Sequence, residues 1–356
     1  MSSEYHQEKK MKTTNLKIGT HSGTFHADES LAVFMLKLLP KFSGAEVVRS
    51  RTPEILDECD IVVDVSGKYD GEKYFDHHQR EFEGVFGEGY KTKLSSAGLV
   101  YKHFGQDILA SVLKETKESA VVQQCFPRIY KIFIEAIDAN DNGISVYNPA
   151  VVNAINEDEN VPYKLTERFI SNTITLPAVV SRCNPRPDEF ESSSLDENAI
   201  YDSKFQVASE IMGNAFLGIV LSTGKDWFPS KTKVSHYYNT REDPRVLILD
   251  TFVAWKSHIF DIEKELTSQG KLKDEDKLLY IVYPGSDSWR VQAVPMTSSS
   301  FVSRKPLPEA WRGVRDEALS KVTGIDGCVF VHASGFIGGN KTKEGAVAMV
   351  KKALEL

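Results

Sequence analysis

The apolar positions fall into short runs separated by polar turns, and the spacing inside each run indicates its element. Residues 16–20 (LKIGT) and 61–65 (IVVDV) are brief and apolar, as strands buried on both faces are, and 46–50 (EVVRS) is a third candidate. A short extended piece follows at 74–76. Residues 21–29 read as a polar loop, and 30–39 (SLAVFMLKLL) as a helix stopped by Pro40. Ser95 is placed to cap a helix running through Phe104, with Gly105 at its end. Phe126, Ile129, Tyr130, Phe133, Ile134 and Ile137 recur at helical spacing over 126–139. Strand and helix alternate, which predicts an α/β fold built on a mostly parallel sheet.

Further along, 184–198 is polar with two prolines and reads as an exposed loop, and 201–221 as a long helix between two lobes. Residues 230–244 are polar and charged. Beyond them come four strand-like runs, 245–249, 277–282, 289–294 and 328–332. Helix-like runs follow at 260–266, 311–320 and 342–354, so a smaller α+β domain is expected. The chain has 356 residues, a length that suits two cores. The expected divisions are a disordered tail at 1–15, a first domain with its connecting helix at 16–235, and a second domain at 244–356.

Charge narrows the function classes. There are 43 Lys and Arg against 50 Asp and Glu, a net of -7, which argues against avid non-specific nucleic-acid binding over the whole surface. A local basic groove stays open. Cys59, Cys125, Cys183 and Cys328 are far apart and form no Cys-x-x-Cys pair, so neither a disulfide scaffold nor a thiolate zinc site is expected. No apolar run reaches the ~18–20 residues that span a bilayer. The first fifteen residues lack the apolar core of a secretory signal. A cytoplasmic or nuclear location and no membrane partner are expected.

The informative chemistry is where His and Asp fall. His21, His26 and Asp28 lie in the loop leaving the first strand, and Asp64 ends the buried strand IVVD. Asp76, His77 and His78 follow the short extended piece, and Asp138 ends a helix. In an open α/β sheet, loops at the carboxyl ends of strands converge on one crevice. Imidazole and carboxylate groups from several such loops would make a metal cluster. Two divalent ions about 3.5–4 Å apart can activate water and stabilise the oxygens of a phosphoryl displacement. Hard oxygen donors with some imidazole suit manganese first, then magnesium or zinc. Two decoys fail. His21 and His26 lack the Glu of a His-Glu-x-x-His motif, and the calcium-loop match starting at Asp138 puts Pro149 where its final Glu belongs.

The order of these motifs resembles the DHH phosphoesterase superfamily. The strings THSGTFHADESLAV, DHHQREF, LSSAGLVYKHFG, AIDANDNGI, WRVQAVP, SRKPLPEAWRG and VHASGFIGG are similar to the Myg (melanocyte proliferating gene) family. The resemblance implies a parallel-sheet catalytic domain followed by a smaller α+β substrate-binding domain. It implies a metal-dependent phosphodiesterase, a 3′→5′ exonuclease of single-stranded RNA or short oligonucleotides with a role in RNA processing, and it adds the mitochondrion as a location. It assigns His21, His26, Asp28, Asp64, His77 and Asp138 as metal ligands, with Asp64 bridging two ions. His78 would face the scissile phosphate and Asp76 would orient a neighbouring His. Ser66 stands where the superfamily has Gly.

The C-terminal lobe offers substrate-binding candidates. Gly338, Gly339 and Asn340 form a glycine loop before a helix expected near Lys341, with Asn340 where the superfamily carries His. Arg290, Arg304 and Lys305 add cationic groups. From Phe301 to the end there are nine Lys and Arg against six Asp and Glu. Two alternatives stay open: hydrolysis of a small phosphoanhydride or short oligonucleotide, and a non-catalytic RNA-binding scaffold.

Overall fold

The computed structural model describes residues 16–356; the tail expected at 1–15 lies outside them. The chain folds as two compact units that meet in sequence between Gly224 and Lys225. The first is built on a four-stranded, wholly parallel sheet of β1 (Lys17–Thr20), β2 (Glu46–Arg49), β3 (Ile61–Val63) and β4 (Tyr74–Phe75), in the order β2-β1-β3-β4. The strands on either side of β1 are reached by connections running in opposite directions. The carboxyl ends of β1 and β3 therefore flank a topological switch point, where such sheets form their crevice.

Helix α1 (Ala27–Lys37) starts three residues before the expected helix. The backbone N–H of His26 donates to Glu29 Oε1 at 2.7 Å, satisfying a group that would otherwise be orphaned at the helix start. That cap pulls Asp28 and Glu29 out of the loop and onto the first helical turn. Helix α2 (Ser96–Leu113) runs well past Gly105. A Cβ at Gly105 would sit 2.6 Å from Phe126 Cε2, so this glycine admits a neighbouring ring instead of ending the helix. The end comes at Lys114, in the left-handed conformation. Helix α3 (Ala120–Ile129) carries Pro127 and passes through a π-helical turn (Tyr130–Ile134) into α4 (Glu135–Asp141). Helix α5 (Glu197–Leu221) is capped by Asp196, and the polar stretch before it holds a short helix, Pro187–Ser192. Helix α1 packs on both α2 and α5. Leu31, Met35, Leu36, Tyr101, Phe205, Met212 and Phe216 are buried in this unit. One described helical run, Glu197–Asn239, is long and apolar enough to cross a membrane; within it Phe205, Ala208, Met212, Phe216 and Val220 are buried in the protein.

The second unit is α+β. Its sheet orders β5 (Val246–Ile248), β6 (Tyr280–Pro284), β7 (Trp289–Ala293), β8 (Cys328–Val331) and β9 (Ile337–Asn340) as β5-β6-β7-β9-β8. Only β5 and β6 pair in parallel. Tyr280 and Val282 enter one core with Trp311, Leu319 and Met349, whereas Ile281 and Tyr283 enter another with Leu247 and Ile259. Alternate residues of one strand thus serve both faces. Helix α6 (Phe228–Asn239) contributes Val234 and Tyr238 to the second core, so the polar stretch expected as a boundary is a helix of this unit.

The glycine-loop expectation is corrected here, and the other substrate-binding candidates are found in contacts within the unit. Gly338 and Gly339 are not a loop but the middle of β9, hydrogen-bonded between β7 and β8. A Cβ at Gly338 would lie 3.0 Å from Phe330 O, so the glycine serves close strand packing. Asn340 is fully buried: its amide donates to Asp326 O at 2.8 Å and its Oδ1 accepts from Thr342 N at 3.0 Å. Thr342 then caps the last helix, α7 (Lys343–Glu355). Arg304 forms a two-pronged pair with buried Glu263, at 3.0 and 2.7 Å, and donates to Leu278 O. Arg290 donates to Ser288 Oγ at 2.6 Å, and Lys305 to Leu354 O at 3.3 Å.

Two expected outcomes follow from these contacts. Arg304→Ala leaves the Glu263 carboxylate buried without its partner and should destabilise the second unit by about 3–5 kcal/mol. Chemical denaturation followed by the fluorescence of that unit's Trp227, Trp255, Trp289 and Trp311 measures it; an unchanged transition makes the pair dispensable. In the first unit, burial pushes the Asp138 carboxyl up to about 7, against the hydrogen bonds from Ser95 that pull it down. The folded chain therefore holds that proton more tightly than the unfolded chain. Its contribution to stability is complete below about pH 4, is lost as pH rises toward 7, and is level above. Relative to Asp138→Asn, the wild type should lose stability across that window. A difference in unfolding free energy that stays flat from pH 4 to 8 would contradict the assignment.

Candidate metal centre

The four parallel strands deliver their next residues to one place. His21 follows β1, Arg51 lies just beyond β2, Asp64 follows β3, and Asp76, His77 and His78 follow β4. Helix α1 adds Asp28 and Glu29 from its first turn, and α4 adds Asp141 from its last. Asp64 sits at φ 60°, a left-handed conformation that few residues other than glycine adopt. Its carboxylate reaches both His21 and His77, and strain of this kind collects at functional sites.

Three groups of donor atoms are close enough to share an ion: His21, His26, Glu29 and Asp64; Asp64, Asp76, His77 and His78; and Asp28, His77 and Asp141. Asp64 belongs to the first two, and His77 to the last two. His21 Nε2 lies 3.0 Å from Glu29 Oε1 and 3.5 Å from Asp64 Oδ2. His77 Nε2 lies 3.0 Å from Asp141 Oδ2 and 3.5 Å from Asp64 Oδ1. Neither approach aligns the His77 ring nitrogen as a hydrogen bond, and Asp28 Oδ1, Glu29 Oε2 and Asp64 Oδ1 are likewise buried without a partner. Buried polar atoms are normally paired. So many unpaired oxygen and nitrogen donors around one space fit a divalent cation site.

The charges are strongly coupled. Burial lowers the affinity of His21 for its proton, but Asp64 and Glu29 outweigh burial and raise the ring to about 9. Burial is outweighed in the same way at His77, where Asp141 and Asp64 lift the ring to about 9. Asp64 resists burial through its two histidines and falls to about 2. Asp28 is held well above the carboxylate range by burial and by the charges of Asp64, Asp141 and Glu29. The Nδ1–H of exposed His78 donates to Asp76 Oδ1 at 2.7 Å, which raises its affinity for a second proton. Asp76 also accepts from the backbone of Gly67 and His78, so it holds that ring in one orientation.

Of the residues expected from sequence, His21, His26, Asp28, Asp64, Asp76, His77 and His78 come together. His26 is exposed at the start of α1, with its ring centroid 5.8 Å from that of His21. Asp138 does not join them. Its carboxylate accepts from Ser95 N and Oγ and from Tyr130 OH, all at 2.7–3.0 Å, deep beside the cleft. Asp141, one helical turn later, takes the place expected of it. Glu29, Asp141 and Arg51 were not singled out from sequence. The Glu29 cap was a usable signal, and Asp141 lay inside the rejected calcium-loop match. The cleft, about 670 Å³, is lined also by Gln79, Arg80, Lys93, Asn140 and Asn142. Arg51 Nη2 lies 3.3 Å from His21 Nδ1.

Known proteins resemble this chain along most of its length. The family model described as Uncharacterised protein family (UPF0160), with a MYG1 exonuclease label, matches residues 17–354. A MYG1 protein of Schizosaccharomyces pombe is 48% identical over 341 residues, covering 96% of this chain and 98% of its own. A MYG1 protein of Saccharomyces cerevisiae is 43% identical over 342 residues, covering 95% of each. The MYG1 exonuclease of Homo sapiens is 40% identical over 350 residues, covering 95% of this chain and 85% of its own. With the family match extending over both units and full-length relatives at these identities, the chain belongs to the MYG1 family.

Proposed function

We propose that this chain is a metal-dependent exonuclease that removes nucleotides from single-stranded RNA in the 3′→5′ direction, using two divalent ions, manganese first among them. The observation that carries the reading is Asp64, whose two carboxylate oxygens lie 3.5 Å from His21 and from His77, among unpartnered buried donor atoms. The human relative's name as an exonuclease supports the reaction class. Two ions, when bound, supply Lewis acidity toward a phosphodiester and a source of hydroxide near neutral pH.

The chain's own residues do the rest. His21, His26, Asp28, Glu29, Asp64, His77 and Asp141 would hold the ions. His78, fixed by Asp76 through Nδ1, lines the cleft and would donate to a phosphate oxygen through its other nitrogen. Arg51, Arg80 and Lys93 line the same cleft and supply positive charge to a phosphate backbone. Its volume is in the range of small-ligand sites, enough for the end of a single strand.

The test is incubation of the full chain and Mn²⁺ with end-labelled RNA, DNA, dinucleotides and pyrophosphate. Release of mononucleotides from the 3′ end of RNA is the expected result. Consumption of pyrophosphate or dinucleotides alone would replace the RNA reading, and no turnover of any substrate would reject catalysis. Elemental analysis should find about two ions per chain, most of them lost in Asp64→Ala. A single ion that survives Asp64→Ala would reject the shared carboxylate. His78→Ala should keep its ions and slow turnover by on the order of 10²-fold. Loss of ions as complete as in His77→Ala would move His78 from substrate to metal.

A further inference from the structure

Asp138 is a fully buried carboxylate beside the cleft, and the cation groups do not use it. Its Oδ1 accepts from Ser95 N at 3.0 Å and Ser95 Oγ at 2.7 Å, and its Oδ2 accepts from Tyr130 OH at 2.9 Å. The backbone N–H of Gly98 also donates to it. Ser95 and Gly98 are the N-cap and third residue of α2, so Asp138 closes that helix end from another helix. A Cβ at Gly98 would overlap both carboxylate oxygens, so the close approach requires glycine there.

The residue next to this anchor reaches the cleft. Ser96 Oγ donates to Asp28 Oδ2 at 2.7 Å, which leaves Asp28 Oδ1 without a partner and aimed at the shared space. On the other side, Asp141 is three residues beyond Asp138 on the same face of α4. Tyr130, the first residue of the π-helical turn before α4, reaches forward to Asp138, eight residues on. We propose that Asp138 is a positioning residue: by fastening the start of α2 to α4, it sets Ser96 against Asp28 and fixes Asp28 and Asp141 relative to each other. This rests on the reading of the cleft as a cation site.

Its test is Mn²⁺ titration of the full chain by calorimetry, with thermal unfolding measured alongside. Asp141→Asn removes a ligand and should weaken binding most. Asp138→Ala and Ser96→Ala should each weaken it by about 10–100-fold, as lost supporting contacts do. The double variant should be little worse than either single, because both act through Asp28. Asp138→Asn keeps an acceptor for Ser95 N and Oγ and should bind nearly as the wild type does. Asp138→Asn losing as much affinity as Asp141→Asn would make Asp138 a ligand and overturn the proposal. So would Ser96→Ala, or a folded Asp138→Ala, with wild-type affinity, since the anchor would then be structural alone. Should Asp138→Ala fail to fold, the Ser96→Ala and Asp138→Asn titrations decide between the same outcomes. A wild-type chain that takes up no Mn²⁺ overturns the cation reading itself, a result distinct from the others.

Discussion

Five carboxylates, Asp28, Glu29, Asp64, Asp76 and Asp141, converge at one edge of the first sheet, and their mutual repulsion governs what surrounds them. Four of them are buried. Two like charges 4 Å apart repel by about 4 kcal/mol at the effective dielectric typical of protein sites. Compensation comes from His21 and His77, each set between two carboxylates and each pushed to about 9. Each ring lies 3.0–3.5 Å from two carboxylates. Ions and protons compete for the same donors, so occupancy by metal and release of protons are one equilibrium.

The parallel sheet is what gathers these groups. His21 and His78 are 57 positions apart in sequence, yet both leave strands that point the same way and lie two places apart in the sheet. An antiparallel arrangement would send half of the strand ends to the opposite edge. The switch point between β1 and β3 opens room for the cleft, and the left-handed turn at Asp64 places a carboxylate at its centre. Helices α1 and α4 contribute from their first and last turns, where a side chain can reach past the helix end.

Much of this was legible in the sequence because it depends on short-range signals. Strand-end His and Asp residues announce themselves once the buried strands are found, and IVVD and YFDHH are such pairs. What stayed hidden depends on contacts between distant residues. Asp138 and Asp141 lie on one helical face, and only the approach of α2 shows that the first is turned inward to Ser95 and the second outward to His77. Gly105 has the appearance of a helix stop, but the ring of Phe126 across from it explains the glycine. Gly338 and Gly339 look like a phosphate loop, yet the neighbouring strands claim both backbones. In each case the residue type was read correctly as special, and its cause lay in a partner the local sequence does not name.

Charge counting misleads for the same reason. The last 56 residues carry a net positive charge, which pointed to substrate. Within the second unit, however, Arg304 is spent on Glu263, Lys343 on Asp250, and Lys305 and Arg312 on backbone carbonyls. Each of these contacts uses part of the donor capacity of its side chain. The acidic first unit instead sets Arg51, Arg80 and Lys93 around its carboxylates, where each is placed by the cleft itself. Bound cations are the largest charges in a site of this kind and invert its local sign. An acidic chain and a polyanionic substrate are therefore compatible. The potential a phosphate meets is set by the charges within a few ångströms of it, and at the carboxyl ends of β1 to β4 these include Arg51, Arg80 and Lys93.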